Sequence, residues 1–142
     1  IIGEHGDSEV AAWSISNIAG IPLENYEKQT GLFSREASEK MYHDVKNSAY
    51  EIIKKKGATY YAIALAVSKI VECIAGEHNA FLTVSSILSG EYGIRDVALS
   101  IPSKLSGSGV EWIPEVDFSA SETEGLKKSA EIMRDYIMKL DF

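Results

Sequence analysis

The 142-residue chain has one cysteine, Cys73, so no disulfide can form within it. That usage suits a reducing cytoplasm, and Cys73 lies in a helical run from Ser68 to Ala75 with no neighbouring thiol, which reads as core filling. No apolar run approaches the roughly 20 residues that span a bilayer, so no membrane segment is expected. Basic residues are outnumbered, 14 Lys and Arg against 21 Asp and Glu, leaving a formal net charge of −7. The sole cationic run, Lys54-Lys55-Lys56, stands before Gly57 at the end of a helical pattern, where cations complement the helix dipole and glycine suits the C-cap. Nucleic acid is therefore not an expected partner. His43 and His78 lack partners at metal-ligand spacing, so no metal is expected, and no Gly-x-Ser-x-Gly nucleophile turn occurs. A Gly-x-Gly-x-x-Gly turn between strand and helix is also missing: Gly107-Ser108-Gly109 sits in a strand context, and Trp112 stands where a third glycine would be needed. No internal repeat or low-complexity tract is present.

The residues that are there alternate between two periodicities. Ser34 is a candidate N-cap, and Ala37, Met41, Val45, Ala49 and Ile52 recur at helical spacing up to Lys56. A second helix follows Gly57-Ala58, with Ile63, Val67, Ile70 and Ile74 on one stripe and Gly76 as its stop. Leu82, Val84 and Leu88, then Val97, Leu99 and Ile101, alternate as strands, and Val110 to Ile113 adds a further hairpin candidate that Pro114 should end. Ser121-Glu122-Thr123-Glu124 fits a capping box, ahead of a helix striped by Leu126, Ala130, Met133, Ile137 and Leu140. Nearer the start, Asp7 to Asn17 suggests a short helix, broken at Gly20-Ile21-Pro22, and the polar stretch from Leu23 to Gly31 reads as a connection. Helices first, antiparallel strands next and a final helix predict an α+β domain of long helices packed on antiparallel strands, not a doubly wound sheet.

The stretch Gly3-Glu4-His5-Gly6-Asp7-Ser8 places an imidazole between glycines after the apolar pair Ile1-Ile2. Imidazole titrates closest to neutrality and can donate and recover a proton within one turnover, while the glycines permit backbone angles that suit a loop opening on a pocket. Taken alone, a lone histidine near a terminus reads more readily as a solvated loop residue or a satisfied structural donor. Asp7 reads as a helix cap, and Thr59, where a new helix begins, reads either as an N-cap or as a hydroxyl facing an anion at the positive helix end.

Taken with Glu9-Val10 and Trp13-Ser14, the His5 stretch resembles the active-site histidine motif of the L-lactate dehydrogenases, within the lactate/malate dehydrogenase family. Lys56 to Ile63, Leu82-Thr83-Val84-Ser85, and Gly90-Glu91-Tyr92-Gly93 with Asp96-Val97 resemble the same family in the same order. The resemblance implies a C-terminal, substrate-side domain over residues 1–142, with the NAD-binding Rossmann domain outside this chain. A start at Ile1-Ile2-Gly3, without an initiator methionine or signal features, reads as an internal position of a longer chain.

It further implies that His5 is the acid for pyruvate reduction and the base for lactate oxidation, that Thr59 lines the substrate site, and that Ile63 packs near the nicotinamide ring. For Ile63 simple core burial is the competing reading. The family aspartate that orients the histidine and the arginine that grips the substrate carboxylate would lie upstream. The expected partners are a small 2-oxo or 2-hydroxy acid, NAD held mainly by the other domain, and further copies in a homo-oligomer, a tetramer in the full-length enzyme. A malate or other 2-hydroxyacid dehydrogenase domain is the alternative, as is a non-catalytic association module for the chain alone. Tyr50 matches a tyrosine treated as a modification position in bacterial relatives, and is read here as a structural helix residue. Two departures stand out: Ala11-Ala12 replaces a proline-containing sequence, and Pro102 to Gly109 matches only loosely.

Overall fold

The structure, a computed structural model, describes residues 1–76 and 78–140. It divides into two compact units, one formed by Ile1–Ala12 with the chain from Ile70 onward, the other by Trp13–Lys69.

The first unit is built on an antiparallel sheet whose strands β3 (Ala80–Ser89), β4 (Arg95–Ser106) and β5 (Gly109–Trp112) lie in that order; β1 and β2 belong to the second unit. The alternation that predicts these strands comes from β4, where Val97, Leu99, Ile101, Ser103 and Leu105 are all buried. Register is fixed by pairs such as Val84 with Ile101 and Ser85 with Ser100, with an irregularity between Ile87 and Ser89. The strand continues past Ile101 through Pro102, which lies within β4 opposite Thr83. Helix α4 (Ala120–Met138) contributes Leu126 and Ala130, both fully buried, to a core completed by Ile2, Ala12, Leu88 and Ile94. Met133 packs against this core, whereas Ile137 near the end of α4 and Leu140 beyond it are exposed, so only the first part of the predicted stripe packs.

The segment between β5 and α4 is held by Tyr92. Its hydroxyl donates to the Pro114 carbonyl (2.7 Å) and accepts from the Val116 N–H (3.0 Å), and its ring lies 5.1 Å from that of Phe118. Burial, reinforced by the nearby Glu115 charge and opposed by the Val116 N–H, pushes the Tyr92 phenol above its ordinary value. The capping box forms two residues earlier than the sequence suggests. Ser119 is the N-cap, and Glu122 returns its carboxylate to the Ser119 N–H at 2.9 Å.

The second unit contains the hairpin β1 (Asn17–Ile18) and β2 (Ile21–Pro22), turned by Ala19 and Gly20, both at positive φ, and helices α1 (Leu23–Thr30) and α2 (Arg35–Lys56). The polar stretch expected to be a connection is thus α1, closed by Gly31 in the left-handed region and carrying the Glu24–Lys28 pair one turn apart. The bounds of α2 are those the sequence predicts: Ser34 accepts from the Ala37 N–H and Gly57 donates back to Ile53. The helix expected over Asp7–Asn17 is reduced to a 3₁₀ turn at Trp13–Ile15, because Val10 spends its backbone groups on Ile2. Helix α3 (Tyr61–Ile74) runs from the second unit into the first, and Cys73 is its only buried residue, as core filling requires. No residue of α2 is buried, so its apolar stripe, Met41, Val45 and Ile52 included, remains exposed, as do Ile63 and Val67 on α3. No single helix among the described residues is long and apolar enough to cross a membrane, although the bent pair α2 with α3 passes the same test of length and composition.

This distribution of burial predicts unequal sensitivity. Leu99→Ala should cost about 3 kcal/mol of unfolding free energy, whereas Val45→Ala should change it by less than about 0.5 kcal/mol, both read from urea unfolding of the chain.

Candidate active site

The His5 loop is fastened at its base by two backbone pairs. Ile2 and Val10 exchange N–H to carbonyl bonds of 2.8 and 2.9 Å, and Gly3 and Ser100 of β4 exchange a pair of 2.8 Å each. Between these anchors a turn carries the Glu9 N–H back to the Gly6 carbonyl at 3.2 Å. His5 itself is exposed, so its placement comes from the backbone rather than from packing of its ring.

Polar contacts behind the loop tie it to α4. The Glu4 N–H donates to the Ser129 hydroxyl at 2.7 Å, the Ser8 hydroxyl donates to the Glu4 carboxylate, and the Ser8 and Ser129 hydroxyls lie 3.1 Å apart. Gly3, at φ 91°, leaves the room this requires: a Cβ there would stand 2.9 Å from the Ser129 Oγ. Beside the loop an open cleft of about 470 Å³ is lined by Glu4, Asp7, Ser8 and Glu9 with Lys128 and Tyr136 of α4. His5 is not part of its lining.

Thr59 and Ile63 belong to the second unit. Thr59 is exposed in the short link between α2 and α3, two residues ahead of the first helical residue, Tyr61. Ile63 is 54% exposed on α3, so core burial does not account for it in this chain. Among the described residues no group of three or more His, Cys, Asp or Glu could hold a metal ion. Cys73 Sγ and His78 Nε2 approach to 3.8 Å without further ligands of that kind.

Sequence reasoning singles out the His5 loop but not Ser129, which contacts it from 125 residues beyond Glu4. A signal does exist: Ser129 occupies a polar position on the stripe of Leu126, Ala130 and Met133, where an uncapped hydroxyl would need a partner.

An antiparallel sheet, a helix packed on it and a loop-borne histidine held through its neighbours' backbone make up an α+β domain. The family model described as lactate/malate dehydrogenase, alpha/beta C-terminal domain, matches residues 1–141, and the chain belongs to that family. L-lactate dehydrogenase from Acetivibrio thermocellus is 51% identical over 142 residues, covering 99% of this chain and 45% of the relative. L-lactate dehydrogenase from Clostridium perfringens is also 51% identical, covering 96% of this chain and 44% of its own length. In structure, a minor L-lactate dehydrogenase from Enterococcus mundtii, crystallised in a ligands-bound form, superposes with a TM-score of 0.95 at 35% identity, covering 100% of this chain and 45% of that one. A lactate dehydrogenase from a Medee basin deep-sea metagenome library gives 0.92 at 35% identity, with coverage of 96% and 44%. The chain thus spans a little under half the length of the relatives it matches.

The loop geometry makes the two glycines unequal. Gly3→Ala should cost about 1 to 3 kcal/mol, because it adds left-handed strain to a contact with buried Ser129. Gly6→Ala, whose Cβ meets only the flexible end of Glu4, should cost less than about 1 kcal/mol, both measured by urea unfolding.

Proposed function

We propose that this chain is the substrate-side domain of an NAD-dependent L-lactate dehydrogenase, interconverting L-lactate and pyruvate, with His5 as proton donor and acceptor. The observation that carries the reading is the 51% identity to L-lactate dehydrogenases along almost the entire chain. Reducing a 2-oxo acid needs a hydride at the carbonyl carbon and a proton at its oxygen, and bound nicotinamide supplies only the hydride. The proton is the task of the chain's own imidazole: His5 gives it to the carbonyl oxygen and, in the reverse direction, takes it from the lactate hydroxyl. Its exposure leaves it open to such a substrate. Thr59 lies just ahead of α3, near first-turn N–H groups that favour an anion, which supports a role for it in holding the substrate.

The residues of this chain fit one side of the cofactor only. Ile63 offers an exposed apolar contact for the nicotinamide face, while no glycine-rich strand-to-helix turn that could cradle a diphosphate is present in the sequence. We infer that NAD is held mainly by a dinucleotide-binding domain outside residues 1–142, and that the aspartate and arginine partners come from there too. The unburied apolar faces of α2 and α3 support an assembly in which this domain is covered, by that domain and by further copies in a homo-oligomer, a tetramer in the whole enzyme. The lone free thiol suits a reducing, cytoplasmic setting, and interconversion of lactate and pyruvate would place the whole enzyme beside glycolysis.

The whole enzyme should turn over pyruvate faster than oxaloacetate in steady-state assays; the opposite preference would assign it to malate or another 2-hydroxy acid. His5→Asn should lower kcat by about 10² to 10⁴ while NADH binding, followed by fluorescence, is unchanged. Residues 1–142 alone should show no NADH-dependent pyruvate reduction, since they lack the binding groups that stabilise the transition state. Turnover by the isolated chain would show that it needs no partner domain.

A further inference from the structure

We propose that Ser129 of α4 is a positioning residue for His5, acting through a closed ring of hydrogen bonds with Glu4 and Ser8; its catalytic consequence rests on the acid/base reading of His5. The direction of each bond follows from what the groups can donate. The Glu4 N–H has only one proton to give, and gives it to the Ser129 oxygen at 2.7 Å. The Ser8 hydroxyl proton goes to the Glu4 carboxylate. Between the two hydroxyls, 3.1 Å apart, Ser129 must then be the donor and Ser8 the acceptor. Each of the three donors meets an acceptor within the group, and bonds arranged head to tail reinforce one another.

The ring sits where it controls His5. It takes in the residue immediately before the imidazole and the residue three positions after it, so the span that bears His5 is held at both ends. Within this chain the histidine ring is exposed and gains no position from packing, so backbone restraint is this domain's share in setting its direction, beside the aspartate inferred for the other domain. Ser129 can hold that restraint because it does not move freely: it is fully buried, one residue before Ala130 and three after Leu126, both in the core against β4. Gly3 completes the fit, since any side chain there would push on the Ser129 hydroxyl.

The ring is tested in the whole enzyme. Ser129→Ala should lower kcat about tenfold with KM for pyruvate changed less than about twofold, the pattern of a misdirected group rather than lost substrate binding. Hydrogen exchange at the Glu4 and His5 amides should speed up about tenfold or more while exchange at Leu99 in β4 stays as it was. Ser8→Ala breaks the same ring elsewhere, so the double variant should lose little more than the worse single one. Ser119→Ala weakens the start of α4 without touching the ring and should leave kcat near wild type. Should Ser129→Ala fail to fold, Ser8→Ala reads the same two quantities. Wild-type kcat with unchanged Glu4 exchange, additive losses in the double variant, or an equal loss in Ser119→Ala would each overturn the proposal. Full turnover by His5→Asn would instead overturn the acid/base reading, and the exchange data alone would then decide whether the ring holds the loop.

Discussion

Strand β4 buries Val97, Leu99, Ile101 and Leu105 on one face, and both the loop that carries His5 and the helix that steadies it are fastened to that strand. Ser100 offers its N–H and carbonyl to Gly3, so the loop departs from the sheet through a two-bond bridge rather than from a free end. Leu126 and Ala130 bring α4 down on the same buried face. Full burial of a side chain such as leucine or isoleucine contributes roughly 1.5 to 3 kcal/mol. A handful of them outweighs any polar contact in the loop, and the polar contacts therefore refine a position the core has already set.

What could be read from sequence follows the range of the interaction responsible. The limits of α2 are legible because Ser34 and Gly57 act on backbone groups three or four residues away. The β3–β4 pairing is legible because alternation with period two needs no knowledge of the partner. The capping box is legible in kind but not in place: Ser121-x-x-Glu124 and Ser119-x-x-Glu122 have the same spacing. The choice falls to Phe118, packed on Tyr92, and to burial of Glu122. Both of those are contacts across the fold. The helix expected after His5 fails for a similar reason, since Ile2 claims the backbone of Val10 before a helix can use it.

Periodicity likewise identifies an apolar stripe without saying what it packs against. The stripes of α2 and α3 have the spacing of core-facing helices, yet the one buried residue of the two helices is Cys73, off the stripe, while the stripe of α4 supplies Leu126 and Ala130 to the core. Helices of similar pattern therefore have different roles within this chain. The difference lies in the strand beneath α4, not in the helices.

The candidate site divides along the same line. The six-residue motif marks His5 as a candidate through local signs, glycines and a titratable ring, and the acid/base role comes from the resemblance of four ordered segments. Its orientation is not local: the hydroxyl that receives the Glu4 N–H lies on the last helix, in a position the periodicity assigns to apolar packing. Serine there would be a poor choice for burial alone, since an unpartnered hydroxyl in a core costs about 1 to 3 kcal/mol. The bond to Glu4 removes that penalty, and in doing so makes the direction of an exposed histidine depend on the packing of a helix more than a hundred residues away.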